Sequence, residues 1–223
     1  MRKRTLSILA FGVVIILLCL GLYWATNQQV ATDTNTPSPR PTSQTPEPTK
    51  PARQNEDQGT LVQPLTDALT RITKKPLGIK ISPERSPVSP ERFAGYHTGV
   101  DFKTLPSEQA SEVPVYAVCS GPLLLKKWAS GYGGVAVQKC KLANQDITVI
   151  YGHLELTSLT AKVSEELTAG EQLGMLGQGH SSETDGERKH LHLGIHLGTV
   201  INLKGYAPTE IQLKQWLNIA LYL

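Results

Sequence analysis

The chain has 223 residues, 18% of them charged, with 22 Lys and Arg against 19 Asp and Glu. Six of the basic and four of the acidic residues precede residue 61, so the remainder is within one charge of neutral. That balance argues against a nucleic-acid partner, which would call for a basic face.

The first element is apolar. Residues 6–25 carry no charge and include Val13-Val14-Ile15-Ile16-Leu17-Leu18. As a helix this stretch is about 30 Å long, the thickness of a bilayer's hydrocarbon core. Arg2, Lys3 and Arg4 precede it, and Tyr23 and Trp24 fall where an interfacial aromatic belt sits, so the rest of the chain is expected outside the cytoplasm. A cleaved signal peptide would have a shorter apolar region and small residues at its cleavage site, whereas Tyr23-Trp24-Ala25-Thr26-Asn27 follows here. Leu18 stands before Cys19 where a lipoprotein signal has a small residue, so that cysteine reads as a membrane-buried thiol. Residues 1–26 are therefore expected to be a basic stub and a single-pass membrane anchor.

Residues 27–60 are rich in Pro and Thr, with almost no large apolar side chain. They cannot bury enough surface to offset ordering entropy and read as an extended, semi-stiff tether. Residues 61–223 are long enough for one domain with its own core. Short β-type segments at 113–118, 122–125, 134–138, 147–151, 172–176 and 189–197, separated by Gly, Pro or Asn, predict a mostly β domain built as an antiparallel sheet or sandwich. Thr209 is placed to cap a short C-terminal helix whose Ile211, Leu213, Trp216, Leu217 and Ala220 share a broad face.

Cys119 and Cys140 lie almost equally far from Ser130, which falls in the turn Ala129-Ser130-Gly131-Tyr132-Gly133. A hairpin centred near Ser130 would set them opposite one another, close enough for a disulfide. An oxidising location outside the cytoplasm would favour that bond, and two buried thiols are the alternative.

All six histidines fall in the predicted domain. In a strand, His190 and His192 of Lys189-His190-Leu191-His192-Leu193-Gly194 project from one face while Leu191 and Leu193 enter the core. Two imidazoles on one face, with a histidine and a carboxylate from His97-Thr98-Gly99-Val100-Asp101, suit zinc, which favours N and O donors in a tetrahedron. Singly these patterns are weak, since a lone His-x-His is more often surface decoration. Together with His153 in Tyr151-Gly152-His153-Leu154 they are far more specific.

From about residue 77 to 205 the chain resembles the lysostaphin-like murein endopeptidases, zinc metallopeptidases that act on bacterial peptidoglycan. The resemblance is carried, in order, by five motifs: His97 to Asp101; Val115-Tyr116-Ala117-Val118 with Gly121 and Gly131-Tyr132-Gly133; Tyr151-Gly152-His153-Leu154; Leu167 to Gly174; and His190-Leu191-His192-Leu193. It implies that His97, Asp101 and His192 hold Zn2+ with a fourth position open to water. It also implies that His190 is the general base and that His153 orients water or stabilises the oxyanion. The polar run from Gly179 to Lys189 replaces the short Ser-Thr-Gly-Pro run common in the family and borders the expected cleft. His180 and His196 read as loop and strand-surface residues.

The implied function is a zinc metalloendopeptidase hydrolysing peptide cross-links of peptidoglycan through a zinc-activated water, held at the membrane by its anchor with the catalytic domain extracytoplasmic. The alternatives are a non-catalytic relative that binds the wall or activates another hydrolase, and a zinc-stabilised interaction domain. The first would normally lack ligands, and the second would close its site with four protein ligands.

Overall fold

The structure is a computed structural model that describes residues 60–223. The expected anchor at 1–26 and nearly all of the linker at 27–60 lie outside the described residues. Among the described residues no helix is long and apolar enough to cross a membrane.

The domain is mostly β, and every strand pairing is antiparallel. In chain order come β1 (Lys80–Ile81), β2 (Gly95–His97), β3 (Gly99–Lys103) and β4 (Pro114–Tyr116). Three long strands follow: β5 (Gly121–Ala129), β6 (Gly133–Leu142) and β7 (Gln145–Gly152). Then come β8 (Leu154–Glu155), β9 (Glu166–Leu167), β10 (Gln172–Leu176), β11 (His190–Leu197), β12 (Tyr206–Ala207) and β13 (Trp216–Leu217). The main sheet runs β13-β11-β7-β6-β5-β9, with β3 also paired to β11. Two three-stranded sheets, β1-β2-β12 and β4-β10-β8, complete the described residues.

Strand parity sorts the side chains of the main sheet. On one face Val100, Phe102, Ala136, Val149, Tyr151, Leu191 and Leu193 join the larger core. On the other, Val135, Val137, Ile150 and Trp216 form a smaller cluster with Tyr132. The sheet is thus covered on both sides, which is why β11 is buried along its first six residues rather than alternating between buried and exposed. Among its buried polar residues, Gln138 donates to the carbonyls of Cys119 (2.9 Å) and Gly121 (3.1 Å) and accepts from the Tyr151 hydroxyl (2.8 Å). That network ties the segment ahead of β5 to the middle of the sheet.

Two expectations are corrected. The β5–β6 hairpin turns about Gly131, not Ser130, since Ala129 pairs with Gly133 and Lys126 with Ala136, and the register shifts between Leu123 and Leu125. Cys119 therefore lies ahead of β5, outside the ladder, yet its disulfide to Cys140 forms with Cα atoms 6.0 Å apart. The C-terminal helix is a single turn, α1 (Glu210–Leu213), capped by Thr209 Oγ1 accepting from Gln212 N at 3.3 Å. It stops there because Leu217 and Trp216 pair with Ile195 and His196 of β11, so the backbone leaves the helix to extend the sheet. Ile211, expected on the buried face, is 76% exposed.

Residues 61–72 lay Leu65 and Ala68 into the core and are held by Val62 N to Val118 O (2.8 Å) and Leu61 N to Tyr222 O (2.7 Å). Leu77, in the segment that follows, packs against both the larger core and the smaller cluster.

Candidate metal centre

The register of β11 with its two neighbours assembles the site. His192 lies opposite Asp101 of β3 on one side and opposite Gly152 of β7 on the other. Asp101 and His192 both point away from Val100, Phe102, Leu191 and Leu193, as alternation requires. His153 follows Gly152 directly, with a left-handed backbone (φ 64°), and its ring lies 4.3 Å from that of His190. His97 ends β2, in another sheet, and is brought back by Thr98, whose N and Oγ1 donate to Gly205 O (3.1 Å) and Lys204 O (2.6 Å). Gly99 is needed by packing: a Cβ there would stand 2.6 Å from His192 Nε2.

Three ligand atoms converge. His97 Nε2 is 3.0 Å from His192 Nδ1 and 3.3 Å from Asp101 Oδ1, and His192 Nδ1 is 3.2 Å from the same oxygen. A tetrahedral ion with bonds of about 2.0–2.1 Å needs donors about 3.3 Å apart, so this triangle fits one face of a zinc coordination shell. His97 Nδ1 lies 3.2 Å from Pro76 O, a group that can only accept, so the proton sits on Nδ1 and the Nε2 lone pair faces the centre. Among the described residues these three are the group that could hold a metal ion, and all are buried.

His190 stands beside the triangle. Its Nδ1 donates to Arg188 O at 2.8 Å, which leaves the Nε2 lone pair toward the site, 3.2 Å from Asp101 Oδ2. Arg188 Nη2 donates to that same Oδ2 at 2.8 Å. Burial pushes the His192 imidazole down to about 4, against the pull of Asp101 beside it. Burial, reinforced by His190 and His192, holds His153 well below its ordinary value, so this imidazole is neutral at neutral pH. Burial alone would raise Asp101, but its close interactions with the His190, His97 and His192 rings outweigh it, leaving the carboxyl well below its usual range.

A cleft opens over these groups. The structure brings together all five residues expected from the sequence: His97, Asp101, His153, His190 and His192 line it. Tyr132, singled out as part of a turn and of the second motif, forms a wall, its ring edge-on to His192 at 5.3 Å and its hydroxyl buried without a partner among the described residues. Glu187, from the polar run expected to border the cleft, lines it, as do Lys75, Phe93 and Tyr206, which carried no signal in the sequence. Phe93 stacks on Tyr206 at 5.4 Å, and Lys75 pairs with Glu91 at 2.6 Å. Arg92 clasps the polar loop through Glu187 (3.0 Å) and Asp185 (3.3 Å). His196 packs on Trp216 at 4.9 Å and His180 sits in a loop with Nδ1 3.1 Å from Gly186 O; neither lines the cleft.

In comparisons with known proteins, the model of peptidase family M23 matches residues 95–203. Curated proteins gave no match. Among solved structures, Csd3 of Helicobacter pylori is 21% identical over 68% of this chain with a TM-score of 0.43; the chain spans only 36% of its length. CbpA of L. salivarius REN is 18% identical, covering 74% of this chain and 94% of its own, with a TM-score of 0.49. The catalytic domain of the antimicrobial peptidase lysostaphin from Staphylococcus simulans is 22% identical, covering 68% and 98%, with a TM-score of 0.45.

Proposed function

This chain belongs to peptidase family M23 through residues 95–203, and from that premise we propose that it is a zinc metalloendopeptidase hydrolysing the peptide cross-links of bacterial peptidoglycan. The observation that carries the reading is the donor triangle of His97, Asp101 and His192, with edges of 3.0 to 3.3 Å and two further histidines beside it. Three protein ligands leave a coordination position for water or substrate, the arrangement of a catalytic site rather than of a closed structural one. The chemistry that zinc supplies when bound is Lewis acidity, polarising a carbonyl and activating water near neutral pH.

The chain's own residues divide the remaining work. His190, with Nδ1–H tied to the Arg188 carbonyl, keeps a lone pair on Nε2 at the site and is the proton acceptor. His153 is neutral and its Nδ1 has no partner among the described residues, so it can orient water or stabilise negative charge on the carbonyl oxygen. Tyr132, Phe93 and Tyr206 give the cleft aromatic walls that bind substrate and limit water.

The proposal extends to the whole chain: a basic stub and anchor at 1–26, a tether at 27–60 and the peptidase domain at 61–223. The protein would be single-pass in the cell membrane with its catalytic domain extracytoplasmic. The uncharged stretch at 6–25 supports the anchor, and the Cys119–Cys140 bond suits an oxidising compartment.

The test is to purify the protein, measure zinc by elemental analysis and incubate it with purified cross-linked peptidoglycan, resolving products by mass spectrometry. About one zinc per chain is expected, with new peptide termini that disappear after chelation and return on adding zinc. Intact peptidoglycan at full zinc occupancy would replace the enzyme by a wall-binding or hydrolase-activating relative.

A further inference from the structure

Arg188 occupies a place that its own stability does not explain. Among the described residues its Nη1 is buried without a partner, and the adjacent Glu187 is already engaged by Arg92. Among the described residues its one ion pair is with Asp101, Nη2 to Oδ2 at 2.8 Å. The two oxygens of that carboxylate are thereby divided. Oδ1 faces His97 Nε2 and His192 Nδ1, at 3.3 and 3.2 Å, whereas Oδ2 is turned to Arg188.

A carboxylate can ligate a cation through one oxygen or both, and partners outside the ligand set commonly decide which atom is offered. A guanidinium on Oδ2 is a strong, directional, permanently charged donor. We propose that Arg188 is a positioning residue for this site: it holds Asp101 so that the carboxylate offers a metal ion Oδ1 alone. A second oxygen on the ion would fill the position that a catalytic site keeps open. Arg188 also fixes the neighbour, because its carbonyl accepts the hydrogen bond donated by His190 Nδ1 while its side chain satisfies the oxygen 3.2 Å from His190 Nε2. One residue therefore sets the orientation of a ligand and of the proton acceptor.

The inference rests on the zinc reading above and is tested by binding and spectroscopy on the full-length protein in detergent. Arg188→Met keeps length and apolar packing but removes the donor, while Arg188→Lys returns a charged donor. Zinc dissociation constants come from competition with a chromogenic chelator, and coordination number from X-ray absorption of the zinc form and visible spectra of the cobalt form. Arg188→Met should weaken zinc binding by about 10- to 100-fold. It should also add an oxygen to the shell, with weaker cobalt bands, while Arg188→Lys recovers most of the affinity and the parental spectrum. Unchanged affinity and spectra in Arg188→Met overturn the positioning role, as does an Arg188→Lys variant that falls as far as Arg188→Met. A parent protein that takes up no zinc overturns this inference together with the zinc reading. A parent that binds zinc normally but leaves peptidoglycan intact removes the enzymatic reading alone, and the binding and spectral results still decide the role of Arg188.

Discussion

His190 and His192 are separated by one residue, share a strand face and have different surroundings. His192 Nδ1 sits at the donor triangle, while His190 Nε2 stands outside it against Asp101 Oδ2. His192→Ala should therefore lose zinc and activity together. His190→Ala should keep zinc but cut peptide cleavage about 10²–10⁴-fold, the usual worth of general acid–base help, and His153→Ala should behave alike but more mildly. Elemental zinc and peptidoglycan hydrolysis measured on the three variants check this, and an empty site in His190→Ala with a filled one in His192→Ala would invert the roles. The same environment sets a pH dependence for the metal-free protein. His192, lowered from 6.5 to about 4, is neutral in the fold but takes a proton more readily when unfolded. Between those values the unfolded state binds more protons, so the stability this group contributes is fully present above about 6.5 and lost as pH falls toward 4. Asp101, also lowered, loses its share at still lower pH. Thermal unfolding from pH 7 to pH 4, with chelator present, should show a falling midpoint, and a midpoint that rises over that interval would contradict the assignment.

The strands transmit these positions. Phe102 and Leu191 are fully buried on the core face, so the cross-strand pair Asp101–His192 is pinned by side chains on either side of each residue. A slip of one residue between β3 and β11 would turn Asp101 into the core, which the burial of Val100 and Phe102 resists. The hairpin of β5 and β6 is pinned differently, by the Gly131 turn and by a covalent tie ahead of β5. The Cys119–Cys140 bond spans a sequence separation of 21, so in the chain-entropy model it contributes about 3 kcal/mol. Cys119→Ser with Cys140→Ser should lower the urea midpoint accordingly while leaving zinc content unchanged, since neither sulfur lines the cleft. Free labelling of both cysteines in the unreduced protein would rule the bond out.

At the scale of the whole chain, the proposed anchor at 1–26 and tether at 27–60 would let the domain reach away from the bilayer. The full-length protein should pellet with membranes and resist alkaline carbonate extraction, and a mature N-terminus near Thr26 by mass spectrometry would replace the anchor by a cleaved leader. Within the domain, the cleft draws on distant stretches of chain: Lys75 and Phe93 from before β2, Tyr132 from the hairpin turn, Glu187 from the polar loop and Tyr206 from β12. The shared face of the two histidines and the β segments were legible in the sequence because they depend on local rules. Alternation along a strand puts His190 and His192 on one face, and short apolar runs between turn residues mark the β segments. The hairpin axis, the Trp216 strand that ends the C-terminal helix, the walls of the cleft and the contact of Arg188 with Asp101 were decided by tertiary structure alone. Each depends on which distant segments pair and in what register, and local periodicity, which reports only the face a residue takes within its own element, carries no such information.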